Sequence, residues 1–401
     1  MKVTEKGVCV KGFSAAGVID GKYGLAIVLS ERRCTTSLMI TSNKIKAAPL
    51  LVSAEHAEKE VYGVVANSGN ANAFTGERGM ADAGVMCSAV ASRLNLSLDN
   101  FLVASTGVIG RQLDMDVIEG LIERASQRLS SESSASVEAA RAIMTTDTFE
   151  KVVSVETVLN DGTVVEIGGI AKGSGMIAPD LNHATMLCFI TTSAYIPEDK
   201  IDAILSEAVE DSFNLLVVDG DTSTNDVVVL FANGVAGNRD VDENFTDALN
   251  FVAKELAKMI ARDGEGATKY IEARVKNAAS LEDARKAARA IVGSNLVKTA
   301  VFGGDPNWGR IVSAVGYSGC NLEQNKISLF ISEPGGREAC LVRKGKPLAL
   351  DGTEELEEAE KVFAGSEIYI TLDLGLGKAK ATAFGCDLTY DYVKINSEYT
   401  T

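Results

Sequence analysis

Apolar side chains recur every three to four residues in several parts of the chain, the spacing that lines one face of an α-helix. The longest stripe is Phe245, Leu249, Val252, Leu256, Met259 and Ile260, which predicts a helix over 244–261. A second passes through Met80, Ala83, Met86, Cys87, Val90 and Leu94 and predicts a helix over 78–94, with Gly84 inside it. Shorter helices are expected over 115–129, 137–144 and 354–363, and over 281–292 with Ser280 as its cap. Pro197 opens another, with Ile201, Ile204, Leu205, Ala208 and Val209 on one face.

Between these stretches lie short β-rich runs bounded by Gly, Asn and Asp. They predict strands at 25–29, 61–66, 101–104, 152–158, 163–167, 215–218, 227–232, 268–275 and 299–302. Asn160-Asp161-Gly162 is a hairpin turn between two of them. One run is apolar throughout: Met186, Leu187, Cys188, Phe189 and Ile190 read as a strand buried on both faces. A loop of small residues, 171–179, precedes it, and Thr185 is the hydroxyl at its start. A nucleophile placed there is held rigidly and can still face a cleft. The mixture implies α/β layers, with one lobe near 245–350.

A chain of 401 residues has room for two lobes, or for one large domain with an appendage. Its net charge of -16 excludes nucleic acid and anionic membranes as partners, since nothing offsets repulsion by their phosphates. No run of 18 apolar residues predicts a membrane span. The first residues lack an apolar signal core, so a cytoplasmic location is expected. Seven scattered cysteines with no CxxC are read as reduced, mostly buried small hydrophobes. His56 and His183 are the only histidines. A His-based metal site or a Ser-His-Asp triad is hard to build from two, and no metal is expected.

Several loops could carry chemistry, and each has a plainer reading. Lys172 is either a fixed cation for a carboxylate or a solvated turn lysine. Ser105-Thr106-Gly107 offers a hydroxyl and a backbone N–H to an oxyanion, or is a strand-to-helix turn. Asp263-Gly264-Glu265-Gly266 is a helix-capping turn, or places Glu265 in a cleft. Asp219, Asp221 and Asp226 resemble a cation loop but lack regular ligand spacing. His183 is either a base near Thr185 or an exposed loop residue. Neither GxxxxGK[ST] nor GxGxxG is present.

In order along the chain stand 67–73 (NSGNANA), 105–110 (STGVIG), 144–149 (MTTDTF), 171–179 (AKGSGMIAP), 184–187 (ATML), 263–268 (DGEGAT), 304–310 (GDPNWGR) and the extreme C-terminus. Each is weak alone. Together, across nearly the whole chain, they resemble the glutamate N-acetyltransferase/ornithine acetyltransferase family of arginine biosynthesis. Two departures stand out: Asp180-Leu181-Asn182-His183 is longer than the family's usual segment, and Glu150 occupies a common Pro position.

The resemblance implies a layered αββα-type sandwich like that of N-terminal-nucleophile proteins and β-peptidyl aminopeptidases, with a second, smaller α/β lobe. It implies self-cleavage between Ala184 and Thr185, giving fragments 1–184 and 185–401 that stay together as an α2β2 assembly. Thr185 would be the nucleophile and its freed α-amino group the base, an arrangement that suits a chain with so little histidine. Thr106 and Gly107 match the oxyanion hole. Thr145, Lys172, Thr185, Glu265, Asn396 and Thr401 match substrate-binding positions, Lys172 suiting a carboxylate and Glu265 the amine of ornithine. The implied reaction moves acetyl from N-acetylornithine to glutamate without a cofactor, and acetyl-CoA stays open as a second donor. The alternative is a self-processing aminopeptidase or amidohydrolase on the same scaffold.

Overall fold

The computed structural model describes residues 1–178, 186–336 and 338–398. The larger sheet has nine strands among the described residues. Eight follow the order Lys2–Thr4, Lys151–Val158, Val164–Lys172, Leu187–Thr192, Val227–Ala232, Tyr23–Ile40, Val61–Ser68, Phe101–Ser105, and Phe13–Asp20 pairs with Tyr23–Ile40 off that path. Tyr23–Ile40 is long enough to serve two half-sheets. Its residues 24–29 pair with Val61–Ser68, while 35–40 pair with Val227–Ala232.

The two half-sheets pack face to face. In Leu187–Thr192 and Val227–Ala232 successive side chains point to opposite faces. Leu187, Phe189, Val227, Val229 and Phe231 meet Val28, Val64, Leu102 and Ala104 of the other half-sheet. Cys188, Ile190, Val228 and Leu230 instead meet Leu249, Val252 and Leu256 of the helix Glu243–Arg262. On the far side Ile27, Val65, Phe101 and Val103 pack under the helices Gly76–Leu94 and Met115–Ser126. The layers are therefore helix, sheet, sheet, helix. Both faces of the central strands are buried, so they read as unbroken apolar runs. Each fully buried Phe or Leu here contributes about 2–3 kcal/mol.

A second sheet of seven strands runs Lys346–Pro347, Glu338–Arg343, Ser328–Ser332, Glu367–Asp373, Tyr270–Ala278, Ala379–Cys386, Leu216–Val217 among the described residues. Its core includes Ala284, Ala288 and Ile291 of the helix Leu281–Gly293, which Ser280 caps as expected.

The expected strand at 299–302 is a helix, Asn295–Gly303. Ser294 accepts the Val297 amide at its start, and Gly304 in the left-handed region closes its end. Val297, Ala300 and Val301 form a helical stripe too short to stand out from a β-rich composition. The helices Ala48–His56, Trp308–Tyr317 and Tyr390–Glu398 are further elements the pattern does not predict. All seven cysteines are unbridged, and five are buried. Among the described residues no helix is long and apolar enough to cross a membrane.

Candidate active site

Three strand ends define the site. Lys172 is the register partner of Leu187, and Leu187 of Val227. The Val227 amide donates to Met186 O over 2.8 Å, closing the pairing at that end. Ala184, Thr185 and Thr401 lie outside the described residues, as does His183. In sequence Thr185 comes immediately before Met186.

Lys172 is the last residue of its strand and is buried, not a solvated turn lysine. Its Nζ donates to Thr145 Oγ1 over 2.8 Å and stands 3.8 Å from Asp147 Oδ2. Burial pushes the ammonium below the usual lysine range, and the charge of Lys151 adds to this, while Asp147 and Glu265 oppose it. Asp147 is a hub. It accepts Lys151 Nζ at 2.8 Å, the Gly173 amide at 2.7 Å and the Thr145 amide at 3.1 Å. Burial alone would raise its carboxyl, but Lys172 and Lys151 outweigh burial and hold it at about 2.

Lys151 ties this hub to the far wall. Its side chain has no exposed surface, and Nζ reaches Asp263 Oδ2 at 2.5 Å. Asp263 follows the helix Glu243–Arg262 and also accepts the Thr148 amide and hydroxyl. Its carbonyl takes the Ser174 hydroxyl at 2.5 Å, and the Glu265 amide donates to Ser174 O at 2.9 Å. The turn after the helix thus closes it, as one of the two sequence readings had it, and its bond to Ser174 fixes the backbone of Glu265. Asn396 Nδ2 donates to Glu265 Oε2 over 2.8 Å. The helix Tyr390–Glu398 comes so close that a Cβ on Gly266 would stand 2.6 Å from the Tyr392 amide nitrogen. Gly175 faces the Glu265 carboxylate, where a Cβ would meet it at 2.3 Å.

Thr106 and Gly107 follow the strand Phe101–Ser105. The Thr106 amide donates to Asn67 O at 2.9 Å, and Ser105 Oγ donates to Asn67 Oδ1 at 2.6 Å. Gly107 has φ +130, and a Cβ there would stand 2.4 Å from Gly69 C. Only glycine fits. Asn225, at the start of the strand Val227–Ala232, donates to Ser105 O and Ala71 O and so fastens this loop to the strand ends.

Asp219 accepts the Met176 and Ile177 amides, which is turn chemistry. Asp226 is different. It is 1% exposed, its Oδ2 has no hydrogen-bond partner among the described residues, and burial pushes its carboxyl well above the usual range against the Thr41 hydroxyl, the Met186 amide and Lys172. Sequence reasoning passes over Lys151 and the hub role of Asp147. Their signal is faint: a lysine that opens an apolar strand four residues after an aspartate.

Charge and hydrogen bonding thus join Thr145, Lys172, Glu265 and Asn396 through Asp147, Lys151, Asp263 and Ser174. Thr106 and Gly107 stand on the other half-sheet, linked through Asn225. Such an arrangement can hold a carboxylate, an ammonium and a developing oxyanion without histidine. The model of the ArgJ family matches residues 11–401. A curated glutamate N-acetyltransferase of Methanocaldococcus jannaschii is 50% identical over 100% of both chains. Another, of Methanothermobacter thermautotrophicus, is 51% identical over 98% of this chain and 97% of its own. A solved chain of the arginine biosynthesis bifunctional protein argJ of Bacillus halodurans is 43% identical, with 52% of this chain and 97% of that chain covered, at a TM-score of 0.48.

Proposed function

The chain belongs to the ArgJ family, and on that premise we propose that it is a glutamate N-acetyltransferase that takes its acetyl group from N-acetylornithine. The acyltransferase acts through Thr185. Cleavage of the Ala184–Thr185 bond frees an α-amino group, which accepts the Thr185 hydroxyl proton as Oγ attacks the acetyl carbonyl. The Thr106 hydroxyl and the Gly107 amide stabilise the tetrahedral oxyanion, each donor contributing about 3–4 kcal/mol. The C–N bond breaks, the proton passes to the leaving amine, and ornithine departs. Glutamate's amine then attacks the acetyl ester, Thr185 recovers its proton, and N-acetylglutamate leaves. Lys172 holds the α-carboxylate that both amino acids share, and Glu265, oriented by Asn396, takes the ornithine ammonium.

The observation that carries this reading is the continuous path from Thr145 and Lys172 through Lys151 to Glu265 and Asn396. It couples a cation and a carboxylate from distant segments at the end of the strand that follows Thr185. Topology supports lasting association of two fragments. Leu187–Thr192 and Val227–Ala232 lie between Val164–Lys172 and Tyr23–Ile40, so the second fragment is hydrogen-bonded to the first on both sides. Assembly as α2β2, a cytoplasmic site of action and the absence of a cofactor belong to the same proposal. The test supplies N-acetylornithine with and without glutamate. Ornithine release that needs glutamate, with stoichiometric N-acetylglutamate, is expected. Equal release in its absence would mean a hydrolase.

A further inference from the structure

The two amino acids of this reaction share an α-carbon with its carboxylate and nitrogen, but their side chains end in opposite charges. One carries an ammonium and the other a carboxylate. A wall built from Glu265 attracts the first and repels the second, so one tail subsite cannot serve both.

A cavity of about 530 Å³ adjoins the site. Thr145, whose hydroxyl holds Lys172, lines it, and so does Gly69, on which Gly107 packs. The cavity therefore borders both the carboxylate-holding lysine and the oxyanion loop. Its wall includes Lys22, Arg111 and Arg141, and no Asp or Glu lines it. In a chain with 55 acidic and 39 basic residues, a wall of three cations without an acid marks a place for an anion. Arg141 is shared with Glu150. Lys22 lies 5.2 Å from the Tyr23 ring centroid, and among the described residues neither it nor Arg111 is paired with a carboxylate. The backbone of Arg111 is held by the loop that follows Val61–Ser68, since Asn70 Nδ2 donates to its carbonyl over 3.2 Å.

We propose that this cavity is the subsite for the side-chain carboxylate of the acceptor amino acid, with Arg111 and Lys22 as its recognition groups. The proposal rests on the acetyl-transfer reading above. A guanidinium matches a carboxylate through two parallel N–H donors, which a neutral amide cannot reciprocate. The site then accommodates both substrates through one carboxylate position and two tail positions of opposite charge.

The test compares kcat/KM for glutamate and for its neutral isostere glutamine, with N-acetylornithine as donor, in the wild type, Arg111→Gln, Lys22→Gln and Arg111→Lys. Both side chains are exposed, so folding is retained. The preference for glutamate over glutamine is expected to fall about tenfold or more in Arg111→Gln, and to recover in part in Arg111→Lys. An unchanged preference, even with both rates lowered, overturns the proposal. So does a loss confined to acetyl-CoA as donor, which would assign the cations to its phosphates. A wild type that acetylates neither acceptor instead removes the acetyl-transfer reading itself.

Discussion

Asn396 Nδ2 donates to Glu265 Oε2 over 2.8 Å, joining the final helix to the turn after Glu243–Arg262. A carboxylate on a Gly-flanked turn gains a fixed direction from this bond. Asn396→Ala should raise KM for N-acetylornithine about tenfold with a smaller change in kcat, the size expected for one hydrogen bond to a charged group. Steady-state kinetics decide it, and an unchanged KM would count against an orienting role.

Lys151 is buried between Asp147 and Asp263. Its replacement by Met strands the Asp263 carboxylate and leaves Asp147 with Lys172 alone. Removing one partner of a buried pair costs about 3–5 kcal/mol. Urea unfolding of Lys151→Met should show a loss in this range. Lys151→Met combined with Asp263→Asn should lose less than the sum of the single changes, because one stranded charge is gone.

Two buried carboxyls make opposite pH signatures. Asp147 has its folded value held at about 2, below the 3.8 of an unfolded aspartate. Its stabilisation is present above about pH 4 and is lost as pH falls towards 2, amounting to about 2 kcal/mol. Asp226 is raised in the folded state. Its contribution is full below the unfolded value and is lost as pH rises through the folded one. Asp226→Asn should therefore unfold at a higher urea concentration than the wild type at about pH 7, with the gap closing at about pH 3. A variant equally weakened at both would contradict a carboxyl raised by burial.

Gly107→Ala tests the oxyanion loop. The added Cβ would collide with the Gly69 backbone at 2.4 Å in a backbone conformation reserved for glycine. Activity should fall about 10²–10³-fold as the loop shifts off its donors. Gly110→Ala is the control. It carries similar backbone strain at φ +82, but its Cβ enters open space. It should lose some stability and much less activity.

The fold was legible where one residue pattern served one face. The stripe from Phe245 to Ile260 became the helix Glu243–Arg262, and the apolar runs at 187 and 227 became central strands because both their faces are covered. It was not legible at 299–302, where caps at Ser294 and Gly304 outweigh β-rich composition. In the site, the resemblance supplied Lys172, Glu265 and Asn396 as positions, and composition showed only that a histidine-based metal site or triad is hard to build from two histidines. The Lys151–Asp263 contact spans 112 residues, and no local pattern encodes it. Asp226 showed itself as one acid in a cluster of three, but its burial depends on strands that meet only in the folded chain.

The central claim is that Thr185 becomes a chain terminus and carries the acetyl group. Mass spectrometry of the purified protein after brief exposure to N-acetylornithine without glutamate tests it most directly. The expected result is two fragments, one ending at Ala184 and one beginning at Thr185, with a single acetyl ester on the Thr185 hydroxyl that disappears when glutamate is added. Thr185→Ala should give neither cleavage nor label. An active, uncleaved chain, or an acetyl group on another residue that glutamate removes, would contradict it.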